Sequence, residues 1–197
     1  MSAAPAAKPR SITSAAQDYL LRIELRDLKP AIWRRVLVRG TVKLSKLHVI
    51  LLRAMGWQGG HLHAFVFGET EYGIPDSDFP RYPPVEPEDR ITLAGALGAR
   101  KTFTYLYDFG DGWEHRIKVE KAYLRDPALK HPLCLDGAQA CPPEDVGGPP
   151  GYVEFLHAIQ DPTHQEHRDM LNWCGGEFDP VAFNVSEVNE RLGEIKF

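Results

Sequence analysis

Cysteine is scarce: Cys134, Cys141 and Cys174 are the only three in 197 residues, too few and too unevenly numbered for the disulfide framework of a secreted scaffold. Long apolar runs are missing as well. No stretch approaches the roughly 18 consecutive apolar residues of a membrane-spanning helix, and no apolar segment follows the first basic residues as it does in a secretory leader. These absences predict a cytoplasmic protein with no membrane partner. An excess of positive charge is also lacking. Lys and Arg number 23 against 27 for Asp and Glu, giving a net charge of −4, whereas a non-specific binder of phosphate backbones carries the opposite sign.

What is present is the composition of a folded protein, with 43% hydrophobic and 25% charged residues. At roughly 100–200 residues per domain the length fits one domain. Residues 1–17 are rich in Ala, Pro and Ser, carry Lys8 and Arg10 and hold no acidic residue, the pattern of a flexible arm. Residues 18–197 are then the single domain. Tyr19, Leu21, Ile23 and Leu25 alternate with Leu20, Arg22, Glu24 and Arg26, and Ile32, Arg34, Val36 and Val38 alternate with Trp33, Arg35 and Leu37 after a turn at Asp27–Pro30, so the domain opens on an antiparallel pair. Leu44, Leu47, Leu51, Ala54 and Met55 recur at helical spacing up to a stop at Gly56. The run from His61 to Phe67 reads as a strand with His61 and His63 on one face. A Pro-rich surface loop follows from Ile74 to Pro87, then a short helix over Ile91–Leu97 started by Thr92. Two β-rich runs, Thr102–Tyr107 and Trp113–Glu120, flank the turn cluster Asp108-Phe109-Gly110-Asp111-Gly112. Asp126–Pro150 reads as irregular, and apolar stripes at Tyr152–Ile159, Met170–Trp173 and Val185–Leu192 make the remainder helical. The predicted class is α+β: a mainly antiparallel sheet with packed helices and a helical C-terminal part.

The ionisable residues gather around the hairpin. His61 and His63, with Asp108, Asp111 and His115, form a candidate polar pocket, because imidazole titrates near neutrality beside carboxylates that stay anionic. Trp113 could wall it, and Glu144 and Asp145 border it from the following loop. The plainer alternative makes both aspartates turn residues and each histidine a half-buried strand residue. Cys134 and Cys141, separated by six residues, could take zinc with His115, although the spacing differs from the short pairs of zinc fingers; otherwise the thiols pack a Pro-rich loop onto the sheet. A zinc-dependent hydrolase would use two or three of His61, His63, His115 and Cys141 as ligands and Asp111 or Glu144 as general base. The string Asp161–His167 is explained by helix initiation, with Asp161 or Thr163 capping. Basic residues Lys29, Arg34, Arg35, Arg39, Lys43, Lys46 and Arg53, interleaved with Trp33 and Trp57, supply the one argument for a nucleic-acid-binding accessory role.

Leu28–Arg35, Leu44–His48, Met55-Gly56-Trp57, His61-Leu62-His63, Tyr107–His115, Cys141–Tyr152 and Gly176–Pro180, taken in this order, resemble the Ri-plasmid ORF-three-like family, whose members are also described as insertion-element (transposon) passenger proteins. The resemblance runs from Tyr19 to Leu192. It implies an α+β domain associated with plasmids and mobile elements, without an established reaction. Some relatives carry a resolvase-type label, but this chain has no early serine nucleophile among arginines, so that activity is not carried over. Many relatives place a third cysteine where this chain has Val146, which weakens a three-thiolate site. The resulting expectation is a binding or accessory domain for a small molecule or protein.

Overall fold

The computed structural model describes residues 17–75 and 84–197. The segment through residue 16, and with it almost all of the predicted arm, lies outside the described residues, as does the middle of the Pro-rich loop. Strand β1 (Gln17–Leu25) pairs antiparallel with β2 (Trp33–Arg39) on one side and with β7 (Trp113–Leu124) on the other. Beyond β7 come β6 (Thr102–Tyr107), β3 (His63–Phe67), β4 (Thr70–Gly73) and β5 (Glu86–Pro87), while β8 (Leu133–Ala138) borders β2. Only the β4–β5 pair is parallel. With the helices α1 (Leu44–Met55), α2 (Leu93–Leu97), α3 (Gly148–Gln160), α4 (His167–Trp173) and α5 (Val185–Gly193), this is the α+β architecture read from the sequence.

Residues directly opposed across a ladder share a face, so the register decides what the core contains. Phe65, Tyr105, His115 and Leu25 make one row across four strands, and His63, Tyr107 and Trp113 make the next. All seven are buried. Helix α1 covers this face with Leu44, Leu47, Ile50, Leu51 and Ala54, and ends at Gly56, whose φ of 111° suits a residue without a Cβ. The opposite face carries charges in pairs, Arg22 with Glu24 and Arg35 with Glu120. Both arginines also stack over the Trp33 ring.

The structure corrects the sequence reading at four places. The strand expected from His61 begins at His63. The stretch expected to be irregular contains β8, because pairing with β2 imposes extended backbone on Leu133–Ala138 despite Gly137. Helix α3 starts at Gly148, accommodating Pro149 and Pro150 in its first turn, where their missing N–H groups cost nothing. Asp161 accepts from the Thr163 N–H at 2.8 Å and closes a local turn, whereas α4 begins after Glu166 with no side-chain cap. Thr92 does cap α2, accepting from the Gly95 N–H.

Candidate functional site

The tip of the β6–β7 hairpin fixes the first group. Asp108 sits at φ 54°, donates its N–H to the Leu62 carbonyl at 2.9 Å, and accepts from the Gly110 and Asp111 N–H groups through Oδ1. That turn leaves Oδ2 to face His61 Nδ1 at 3.3 Å. The other ring nitrogen, Nε2, lies 3.2 Å from Asp145 Oδ1. One imidazole is thus set between two carboxylates. A cation bound there would take a ring nitrogen of His61 and carboxylate oxygens of Asp108 and Asp145 as ligands. Exposure rises along the row, with side chains 12% exposed at Asp108, 31% at His61 and 71% at Asp145, so the cluster opens to solvent on the Asp145 side. Among the described residues this is the one set of three or more His, Cys, Asp or Glu whose ligand atoms all lie within 4.8 Å of one another.

The other predicted pocket residues hold the surroundings in place. Glu144 accepts from the Gln58 and Gly59 N–H groups and, at 2.6 Å, from the Tyr107 hydroxyl. Burial, and then the anionic Glu144, push the Tyr107 hydroxyl pKa well up, so the phenol stays a donor. Asp111 Oδ2 accepts at 3.1 Å from the N–H of Gly147, the residue just before α3. A Cβ on Gly148 would sit 2.1 Å from the Asp111 carbonyl oxygen, which explains the glycine at φ 69°. Trp113 is 1% exposed and packs with Trp57 in the core, so it walls no pocket.

His63, His115 and the cysteines part from the cluster. His63 lies under the sheet, bonded through Nε2 to Glu88 at 2.8 Å and stacked on His48 with ring centroids 3.5 Å apart. His48 in turn bonds the Tyr105 hydroxyl, and burial together with His63 lowers its pKa to about 3. His115 is fully buried; its Nδ1 lies 3.3 Å from the Tyr105 carbonyl oxygen, its Nε2 has no hydrogen-bond partner among the described residues, and burial lowers its pKa to about 4. Cys134 is buried in β8 and bonds the Asp136 carbonyl. Burial drives the Cys141 thiol pKa far up, against the pull of the Arg34 guanidinium, so neither it nor Cys134, also raised by burial, is an activated nucleophile. His115, Cys134 and Cys141 belong to no ligand set of the kind that His61 forms. Arg34 and Arg35 are also occupied: Arg34 is buried and donates to the carbonyls of Ala54, Trp33 and Ala138, and Arg35 pairs with Glu120 and Asp136.

Asp145 has a second setting. It borders a cleft of about 360 Å³ between α3 and α4, walled by Val146, Phe155, Ala158, Met170 and Trp173. The metal-capable cluster and the cleft therefore share one carboxylate.

Residues 17–187 match the family of plasmid pRiA4b ORF-3-like proteins. The chain belongs to that family. This ORF-3-like chain is 42% identical over 181 residues to the uncharacterized protein y4hQ of Sinorhizobium fredii, covering 89% of the chain and 90% of the relative. Its fold is similar to the crystal structure of MM3350 from Methanosarcina mazei Go1, a protein of unknown function, with a TM-score of 0.78 and 31% identity over 87% of this chain and 97% of the other. No helix among the described residues is long and apolar enough to cross a membrane.

Sequence reasoning missed His48, Glu88 and Tyr105, which partner the buried imidazoles, and the cleft residues Glu154, Glu166 and Trp173. His48 carried a usable signal: it falls four residues from both Leu44 and Leu52, on the buried stripe of α1.

Proposed function

We propose that this ORF-3-like chain is a binding domain that holds a divalent cation between His61, Asp108 and Asp145 at the edge of the α3–α4 cleft. The carrying observation is the imidazole flanked by two carboxylates, drawn from three separate loops, with one carboxylate shared by a cavity of ligand size. One nitrogen and two carboxylate oxygens suit Zn²⁺ or Mn²⁺. Three protein ligands leave coordination positions for a small molecule entering from the cleft. We place the domain, residues 18–197, in the cytoplasm as an accessory to plasmids and mobile elements, a role supported by the plasmid name of the family.

Calorimetric titration with Zn²⁺ and Mn²⁺ tests this. One ion is expected to bind per chain, with affinity lost in Asp108→Asn and in Asp145→Asn. A wild-type chain that binds neither ion overturns the reading. The hydrolase alternative is supported by the open coordination positions beside the cleft, but both bases named for it, Asp111 and Glu144, already accept backbone N–H bonds. Screening ester and phosphoester turnover with the ion bound decides it. Arg34 and Arg35, the core of the nucleic-acid reading, are committed within the fold, so that reading has no supporting geometry.

A further inference from the structure

The α3–α4 cleft has a chemistry of its own. Three carboxylates, Asp145, Glu154 and Glu166, line it, and among the described residues no lysine or arginine does. Among the described residues Glu154 and Glu166 enter no ion pair. Its apolar walls include Phe155 and Trp173, whose rings meet edge to face with centroids 5.8 Å apart, and the flexible thioether side chain of Met170. The Trp173 side of the cleft is reachable, since Trp173 is 48% exposed. The two helices are fixed to each other: the His167 ring donates to the Ala158 carbonyl at 2.8 Å, so the cleft is built before any ligand arrives.

Carboxylates around low-dielectric walls concentrate positive charge. Aromatic faces add to this by attracting an ammonium group through the ring quadrupole. We infer that the cleft binds a small organic cation with an apolar body, an arylalkylammonium in chemical class, its ring against Phe155 and Met170 and its charge toward Glu154 and Glu166. The inference stands on the cleft alone and needs no ion at His61; Asp145 is where the two sites would communicate.

The test is calorimetry on the full chain, with EDTA present, using 2-phenylethylammonium, its neutral isostere 2-phenylethanol and the anion phenylacetate. The ammonium is expected to bind roughly tenfold or more tighter than the alcohol, and the anion more weakly than either. The Glu154→Gln, Glu166→Gln double variant should lose that preference while keeping its Zn²⁺ affinity, and His61→Ala should do the reverse. Circular dichroism confirms that each variant is folded. Both carboxylates are on the surface, so the double variant has no burial cost to meet. Equal binding of ammonium and alcohol, no binding of the ammonium, or a preference that survives the double variant overturns the inference. Failure of Zn²⁺ binding alone overturns only the cation reading of His61.

Discussion

The rim cluster at His61 and the core row at His115 are built from the same kinds of residue and are opposite in what they can do. His61 is reached by solvent and meets a carboxylate at each ring nitrogen. His115, under the sheet, has one nitrogen on the Tyr105 carbonyl and the other without a hydrogen-bond partner among the described residues, enclosed by Trp57 and Tyr105 rings. Access and the partner of the second nitrogen, more than residue type, separate the imidazole proposed to bind a cation from the one buried in the core. The same contrast divides the acids: Asp145 is 71% exposed beside His61, while Glu144, its neighbour, is spent on two backbone N–H groups and a phenol.

The strongest way to break this contrast is by truncation in each region. Trp113→Ala should cost about 3–5 kcal/mol of stability, whereas His61→Ala should cost less than about 1 kcal/mol, both measured by urea denaturation. Comparable losses would mean the rim cluster is structural. Acid comes next in size. Burial lowers the His115 pKa from the ordinary 6.5 of a histidine to about 4 in the folded protein, so the protonated form is disfavoured in the folded state. Its stability contribution is complete above pH 6.5 and is lost as pH falls through about 4, a span worth on the order of 3 kcal/mol. His115→Phe should reduce the pH dependence between 6.5 and 4, leaving the part that comes from His48, whose pKa is lowered to about 3, whatever its stability at neutrality. A smaller effect is expected at Glu144, where Tyr107→Phe removes one of three donors and should cost about 1–2 kcal/mol in a thermal melt. Least of all, Arg35→Ala removes ion pairs at the open sheet face and should lower the melting temperature less than Tyr107→Phe does, and less still in high salt.

The fold was largely legible because periodicity reports burial. Alternation in β1 and β2 and the 3.6-residue stripe of α1 are local consequences of facing one core, and they survive in the sequence. Strand β8 does not follow from its own residues. Only Cys134 in it is buried, and Gly137 is demanded by a ring elsewhere, since a Cβ there would lie 2.6 Å from Phe183. The site was legible as a list and not as a selection. His61, Asp108 and Asp145 were all named, yet period 2 paired His61 with His63, when the chain leaves the pleat just before His63 and turns the two rings to different partners. The surplus members were placed by long-range packing: His115 by its register against Tyr105, Asp111 by the start of α3.

The amide of Asn189 on α5 accepts from the Cys134 N–H at 2.7 Å and donates to the Cys134 carbonyl at 2.9 Å. A side chain there completes both bonds that a further strand would make to the outer edge of β8 at that residue. Exposed strand edges are templates for another chain, so this one residue works as a stopper, ending the ladder inside the molecule. Without α5 that rim would be a docking rail for a neighbouring copy, and light scattering would register the change as growth of assemblies.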